Sequence, residues 1–503
     1  MDRKGRKPWR CPKLKVTVIL PSGRGEEVLV AGTAKVGDVK VAAQKSFGQG
    51  FLRLVAPDGR NLDLNEDLAK VGLQDGEYLS AVAQAPLVTR ASEAFALWIS
   101  GGSVVTWGNP KGGGDSSAVQ DQLRHVRKIC AADHAFAAVL NDGRVVTWGD
   151  PTCGGDSSGV QNRLRNVQEI HATSRAFAAV LGDGSVVTWG DPQCGGDSSE
   201  VKDRLKNVKK ICQTARSFAA LLDDRSVATW GCQIHGGDSS RVQEHLRNVQ
   251  CIFAEISGSF HALTDSEEDI TWGRGQWHRL TTARSDLRIA QDLQTNALIS
   301  VVAFADGAFV TTAGLSTDDS SVQEFKLMAR IVHLQQELKV KLCMLCMNLT
   351  RGEAELLHLC WLPYKGNGRT GVWDRLKNVQ MIRFTQTAFA AVLADGTVET
   401  WGSRRHGGNC RTVETRLIDV QDISATFGAF AARLGSGRVV TWGDPTCGGD
   451  SSGVQNRLRN VQEIHATSCA FAAVLGDGSV VTWGDPQCGG DARKVQEELQ
   501  WLS

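Results

Sequence analysis

The chain has 503 residues, of which 42% are hydrophobic and 22% are charged, a balance typical of globular proteins. Its 56 basic and 55 acidic side chains leave a formal net charge of +1, so the charge of the whole chain gives no case for binding of nucleic acids or membranes. No apolar run is long enough to span a bilayer, and no apolar segment follows the N-terminus as in a secretory signal. We therefore expect protein partners, no membrane association and a location in the cytoplasm or the nucleus.

The first element is a basic tail, assigned to residues 1–13. Seven basic side chains lie between residues 3 and 15, and a single acidic residue, Asp2, precedes them. A solvated tail is the simpler interpretation, and an arm that directs nuclear import or contacts phosphates is the alternative. This arm is the one place where we consider contact with nucleic acid.

Residues 14–84 follow without internal repeats. Their alternating or β-branched segments predict four strands, at Val16–Leu20, Glu27–Val30, Leu52–Val55 and Tyr78–Val82. Between the second and third strands, Val36–Phe47 has apolar residues at helical spacing. Asp38 is a candidate cap for a slightly later helix start. The predicted order is therefore ββαββ.

Two motifs in this region, D-G-R-N-L-D-L at Asp58–Leu64 and G-L-Q-D-G-E-Y-L at Gly72–Leu79, resemble the ubiquitin-like β-grasp family. The resemblance implies a small α+β domain at residues 14–84. The last strand runs into Ala83–Pro86 and not into a Gly-Gly tail, so the implied role is an adaptor surface and not conjugation. Three apolar residues either form an exposed protein-binding patch or belong to the core: Leu52, Leu54 and Val82.

After a linker at residues 85–92, residues 93–503 form an array of repeats. Trp-Gly pairs recur every 41 or 42 residues, at Trp107, Trp148, Trp189, Trp230, Trp272 and, after a gap, Trp401, Trp442 and Trp483. Within this gap, Ala313-Gly314 and Trp361 fit the period as degenerate copies of the Trp-Gly pair. The array then has about ten units, and the units at 273–400 are degenerate. A unit of this length has too little core to fold alone, so we expect neighbouring units to stack and bury their tryptophans.

One unit shows the β character of all of them. Val167–His171, Ala176–Leu181 and Val186–Trp189 predict three strands, and Asp183-Gly184 predicts a tight hairpin between the last two. The remaining stretch, Ser198–Leu205, predicts either a fourth short strand or one helical turn capped by an aspartate or serine.

The succession V-x-x-I, A-F-A-A-V-L, D-G and V-V-T-W-G resembles the repeats of the regulator of chromosome condensation family. That resemblance implies a mainly β fold, a β-propeller that the family builds with seven blades. This chain departs from the pattern: the unit is shorter, A-T-S-R at Ala172–Arg175 replaces the usual G-x-x-H, and ten units exceed seven.

Residues 145–197 and 439–491 are identical except that Arg175 becomes Cys469. The offset corresponds to seven repeat steps, so both copies would occupy one slot of a seven-bladed ring. The sequence therefore predicts a larger ring, an open array or units outside the ring.

No motif indicates catalysis, a cofactor or a metal, so we expect a protein that is not an enzyme. Cys343 and Cys346 form a lone pair in an apolar segment without the two further ligands of a zinc site. Asp150 and Asp156 lie in a loop whose oxygens suit calcium, although the same residues are common in turns. Four cysteines occupy equivalent positions a full repeat apart, too far for disulfides, so we expect reduced thiols: Cys153, Cys194, Cys447 and Cys488.

His134, Arg175 and Arg216 occupy the loop before the second strand of successive units. Because loops vary while the scaffold stays constant, we expect these residues to bind protein. The predicted function is a non-enzymatic interaction scaffold, an adaptor in ubiquitin-related pathways. One alternative is guanine-nucleotide exchange on a small GTPase. A second is a non-catalytic relative of HECT-class ubiquitin ligases, because we expect no room for their catalytic domain before Ser503. A third is a repeat array that folds but has no further function.

Overall fold

The computed structural model describes residues 13–47, 52–60, 62, 66–73, 75–83, 86–98, 102–255, 258–266, 268–273, 379–495 and 499, together with the backbone of four strands between 278 and 313. The predictions for the basic tail up to residue 12, for Cys343 and Cys346, and for the worn unit at Trp361 fall outside these ranges.

The N-terminal domain is a four-stranded sheet with one long helix. Its elements are β1 (Lys13–Ile19), β2 (Gly25–Ala31), α1 (Val36–Phe47), β3 (Leu52–Val55), α2 (Leu68–Val71) and β4 (Tyr78–Ala83). The strand order is β2-β1-β4-β3, with β1 and β4 parallel and the outer pairs antiparallel. This is the β-grasp topology, so the predicted ubiquitin-like fold is confirmed.

Strand alternation and one cap explain these elements. Val16 and Val18 point into the core with 0% exposure, whereas Lys15 points outward and pairs with Glu27 at 2.7 Å. The helix starts at Val36, and the Asp38 carboxylate accepts the Lys35 backbone N–H at 2.8 Å, which satisfies a donor that the first helical turn leaves open.

The array consists of nine modules in the described ranges, each a sheet of three antiparallel strands, with a fourth strand in module 5. Modules 1 to 3 are β5–β7 (Leu87–Arg90, Ala94–Trp98, Val104–Gly108), β8–β10 (Val126–Ala131, Ala135–Leu140, Val145–Gly149) and β11–β13 (Val167–Ala172, Ala176–Leu181, Val186–Gly190). Modules 4 to 6 are β14–β16 (Val208–Gln213, Ser217–Leu222, Val227–Gly231), β17–β20 (Val249–Glu255, Ser259–Thr264, Asp269–Gly273, His278–Leu280) and β21–β23 (Ala290–Asn296, Ile299–Phe304, Phe309–Ala313). Modules 7 to 9 are β24–β26 (Val379–Phe384, Ala388–Leu393, Val398–Gly402), β27–β29 (Val420–Ala425, Ala429–Leu434, Val439–Gly443) and β30–β32 (Val461–Ala466, Ala470–Leu475, Val480–Gly484).

The predicted strands of the repeat unit are confirmed to within one residue at each end. The open question about Ser198–Leu205 is settled in favour of a helical turn, because Ser199–Val201 is a 3-10 helix and the Asp197 carboxylate accepts the Ser199 N–H. Residues 87–90, which we expected in a linker, form the first strand of module 1. The mainly β fold with propeller-like blades is therefore confirmed.

The repeated tryptophan joins each module to the one before it. In module 3, the Trp189 indole N–H donates to the Gly154 carbonyl at 3.0 Å, and its ring stacks on Phe177 with 5.2 Å between centroids. A Cβ on Gly154 would lie 2.6 Å from the Phe177 ring, so only glycine permits this approach. Trp189 is 4% exposed, and the prediction of one buried tryptophan between neighbours is confirmed.

The last module packs against the first. The Trp107 indole N–H donates to the Gly489 carbonyl at 3.2 Å, and one hydrophobic core contains Phe95 of module 1 together with Ala472 of module 9. Modules 7, 8, 9, 1, 2, 3, 4 and 5 are thus successive neighbours. The first strands of adjacent modules also contact each other, as blades do around a propeller axis.

This run of eight neighbours is longer than the seven blades that the family resemblance implies. Modules 3 and 9, which contain the two nearly identical segments, lie three steps apart through modules 1 and 2. The conflict over a single slot therefore does not arise in this structure.

Candidate functional site

In modules 7, 8, 9, 1, 2, 3 and 4, the residue directly before the middle strand lies on one rim of the array. We call these residues the rim row. In spatial order from module 7 to module 4 they are Thr387, Gly428, Cys469, Glu93, His134, Arg175 and Arg216.

A belt of backbone hydrogen bonds aligns the rim row. The Asp133 N–H donates to the Ser174 carbonyl at 2.8 Å, and the Ser174 N–H donates to the Ala215 carbonyl at 2.9 Å. Equivalent bonds join the residues that precede the other members of the row, in the pairs Gln386 to Phe427, Phe427 to Ser468, Ser468 to Ser92 and Ser92 to Asp133. His134, Arg175 and Arg216 follow the bonded residues directly, so the structure brings the three predicted binding residues side by side.

A second backbone bond fixes each rim-row residue to its own module. The His134 carbonyl accepts the Asp150 N–H at 2.8 Å. Gly149, at φ +102°, makes room for that carbonyl, because a Cβ there would lie 2.5 Å from its oxygen. With the backbone held in this way, the side chain of a rim-row residue is left to point outward and to differ between modules.

The side chains of the three predicted residues are polar and partly exposed. His134 is 40% exposed, and its Nδ1 lies 4.0 Å from the Glu93 carboxylate. Arg175 is 44% exposed and contacts Asp191, with 3.1 Å between nitrogen and oxygen. It also donates to the Thr152 hydroxyl at 3.3 Å. The row therefore presents hydrogen-bond donors held at defined positions.

The carboxyl groups beneath the row respond to burial and to hydrogen bonds. Burial raises the pKa of Asp133, although hydrogen bonds from Ser174 and the charge of His134 oppose this shift. Burial also acts to raise the pKa of Asp150, but hydrogen bonds from Thr152 outweigh it, and the pKa is lowered. Asp150 is therefore ionised at neutral pH, and its negative charge lies near His134 and Arg175.

The same rim carries further exposed residues that the sequence did not single out. Arg405 is 78% exposed and pairs with Asp444 at 3.0 Å. Two large apolar side chains, Ile234 at 69% and Phe427 at 52% exposure, lie on these loops. Both apolar side chains could have been found by aligning the repeats. At the position of Phe427, for example, module 3 has Ser174.

Of the two interpretations given for the N-terminal apolar residues, the exposed patch is wrong and the core is right for two of the three. Leu52 and Leu54 are 2% and 1% exposed and belong to the core. Successive residues of a strand point to opposite faces, and these two face the helix. Val82 is half-buried and pairs with Arg53 across the sheet.

Within the described ranges, no group of three His, Cys, Asp or Glu side chains is placed to hold a metal ion. Among the helices of those same ranges, none has the length and apolar character that crossing a membrane requires.

No protein-family model matches the chain, and no curated protein matches it. Among solved structures, yeast RCC1 (Prp20) bound to Kap60 is similar at 14% identity over 65% of this chain and 80% of that chain, with a TM-score of 0.33. Prp20p from Saccharomyces cerevisiae, described with its binding to Gsp1p and histones, is similar at 14% identity over 64% and 83%, with a TM-score of 0.33. Ubiquitin from Caldiarchaeum subterraneum is similar at 24% identity over 15% of this chain and 96% of that chain, with a TM-score of 0.14.

Proposed function

We propose that the chain is a non-enzymatic protein-interaction scaffold whose rim row binds the partner. The observation that carries this proposal is that six different residue types occupy the seven positions of the rim row, on a backbone held by the same hydrogen bonds. A position required only for folding would keep one residue type, as the buried phenylalanine of the middle strand does in every one of these modules.

The charge pattern favours a partner with carboxylates opposite modules 2 to 4. His134, Arg175 and Arg216 lie next to one another, and each extends from a backbone that the belt holds in place. Preorganised donors of this kind lose little conformational freedom on binding, and arginine pairs well with carboxylates.

The N-terminal domain serves as a second docking element on the same chain. Its β-grasp fold with its own core supports the role of an adaptor in ubiquitin-related pathways. Docking through both the domain and the rim would raise the effective concentration of the second contact.

The test compares three full-length proteins in quantitative affinity capture from native lysate. They are the wild type, a rim variant (His134→Ala, Arg175→Ala, Arg216→Ala) and a control variant (Arg163→Ala, Arg165→Ala, Lys206→Ala). The control residues are exposed and lie at the opposite rim, beside the hairpin turns.

We expect at least one partner to be captured by the wild type and the control variant and lost from the rim variant. The purified partner should then bind the wild type directly, with affinity reduced about tenfold or more by the rim variant, the range for losing charged contacts at an interface. Retention of every partner by the rim variant would refute the assignment of the rim row as the binding face.

A further inference from the structure

Two cysteine thiols from neighbouring modules touch at the rim. Cys447 ends the 3-10 turn Pro445–Cys447 that follows the last strand of module 8, and Cys469 is the rim-row residue of module 9. Their sulfur atoms lie 2.8 Å apart. Both side chains are half-buried and free in the structure, so a small oxidant can reach them.

The chain contains its own control for this contact. Residues 145–197 and 439–491 differ only at Arg175 and Cys469. In the first copy, Arg175 lies close to Cys153 and donates to the neighbouring Thr152 hydroxyl at 3.3 Å. In the second copy, a thiol replaces the guanidinium, and the equivalent cysteine, Cys447, meets a second cysteine. One substitution in an otherwise duplicated rim therefore creates the thiol pair.

We propose that Cys447 and Cys469 form a reversible disulfide that links module 8 covalently to module 9. A disulfide bond is about 2.05 Å long, so the two sulfurs need to approach by about 0.8 Å. The repeat pattern predicted reduced thiols from equivalent positions a full repeat apart, whereas these two cysteines occupy different positions of their units and come from adjoining modules.

The oxidant in this proposal is a low-molecular-weight disulfide such as oxidised glutathione. One cysteine thiolate attacks a sulfur of the oxidant, forms a mixed disulfide and displaces one glutathione thiolate. The second cysteine then attacks the protein sulfur of the mixed disulfide and releases the second glutathione. Two protein thiols and one glutathione disulfide thus give one protein disulfide and two molecules of glutathione.

The groups around Cys469 set the pH dependence of this exchange. Burial is the main cause that raises the pKa of Cys469, and the nearby Cys447, Cys488 and Asp485 act in the same direction. Glu93 of module 1 adds negative charge close to Cys488. Because the thiolate is the attacking species, formation of the disulfide accelerates as the pH rises from 7 to 9.

The test oxidises the folded full-length protein with oxidised glutathione at pH 8.5, blocks the remaining thiols by alkylation and maps the peptides by mass spectrometry. Trypsin alone gives identical peptides from residues 145–163 and 439–457, so the experiment uses a Cys153→Ser background. Additional cleavage before aspartate separates Cys469 from Cys488. The expected product is peptide 444–449 linked to peptide 460–476, and it disappears on treatment with dithiothreitol.

Three variants make the assignment specific. Cys469→Arg restores the residue of the sister module and abolishes the link, as does Cys469→Ser. Cys488→Ser leaves the link intact. In a Cys447→Ser, Cys469→Ser chain with Cys153 retained, Arg175→Cys creates the equivalent link, from residue 153 to residue 175. Circular dichroism confirms that each variant is folded.

Full alkylation of both Cys447 and Cys469 after oxidation would overturn the proposal. So would a link from Cys447 to Cys488, or one that persists in both Cys469 variants. The inference is independent of the proposed function, because neither a partner nor a binding assay enters the test.

Discussion

Replacing Trp230 with phenylalanine tests whether one tryptophan per module holds the array together. The Trp230 indole N–H donates to the Gly195 carbonyl of the preceding module at 3.1 Å, and the side chain is 4% exposed. Phenylalanine keeps an aromatic ring opposite Phe218, but it has no donor. The Gly195 carbonyl then loses its indole partner within a buried junction, at a cost of about 1–3 kcal/mol.

The smaller ring adds to this cost. The lost apolar contact area corresponds to roughly 1 kcal/mol, so the junction should weaken by about 2–4 kcal/mol. Since each 1.4 kcal/mol is a factor of ten, the opening equilibrium of module 4 should rise roughly 30- to 700-fold.

Hydrogen exchange with mass spectrometry measures this opening module by module. We expect loss of protection in β15 and β16 and in the loop that contains Gly195. The matched control is Trp272→Phe, which removes the equivalent bond to Gly236, 3.1 Å long in the wild type. Its effect should move to β18 and β19. A uniform change across all modules, or less than about a threefold change at module 4, would refute a junction held by nearest neighbours.

Gly231→Ala should lower the free energy of unfolding by more than about 1 kcal/mol, because φ is +106° and a Cβ would lie 2.8 Å from the Arg216 carbonyl oxygen. Gly159→Ala is the neutral control, because a Cβ there meets open space. Equal melting temperatures of the two variants in thermal unfolding would contradict this prediction. Burial lowers the pKa of Lys40 from 10.5 to about 8. Between pH 8 and pH 10.5 the unfolded state therefore binds more protons than the folded state. The N-terminal domain should gain roughly 3 kcal/mol of stability as the pH rises through this window. Lys40→Met should abolish that gain in the hydrogen exchange of α1, and the same pH slope in both proteins would count against it. Hydrogen bonds from the side chain and the backbone N–H of Arg493 lower the pKa of Asp491 to about 2. The contribution of Asp491 to stability is therefore present above about pH 4 and lost as the pH falls towards 2. Asp491→Asn should flatten this part of the acid-unfolding curve, and an unchanged curve would exclude the contribution.

The strands of each module could be predicted because their signals are local. A run such as Ala176–Leu181 followed by Asp183-Gly184 specifies a strand and a hairpin within a dozen residues. The return of the chain to its start could not be predicted in this way. Trp107 and Gly489 are 382 residues apart in the sequence. Each of these two residues has equivalents in other units, so the period alone does not predict which tryptophan binds which glycine.

The candidate site shows the same division between local and tertiary information. The loop that contains His134, Arg175 and Arg216 could be identified from its position in the repeat. The contact between Cys447 and Cys469 could not, since it joins two different positions of adjacent modules. Burial of Leu52 and Leu54 depends on which face of the sheet the helix covers, and alternation alone gives two faces without saying which one is inside.

The two nearly identical segments show that the chemistry of the rim is separate from folding. Arg175 and Cys469 differ in size, charge and reactivity, yet their modules keep the same construction. The tryptophan-to-glycine bond is 3.0 Å in both copies, and the stacked rings are 5.2 Å apart in both.

The backbone at the substituted position is also unchanged. The Arg175 and Cys469 carbonyls each accept an N–H at 2.9 Å, from Asp191 and Asp485 respectively. If the side chain at this position took part in holding the module together, exchanging arginine for cysteine would alter these distances. Because it does not, the rim row can change its residues at little cost to the β core, and a scaffold built in this way can acquire a new binding residue or a new disulfide by a single substitution.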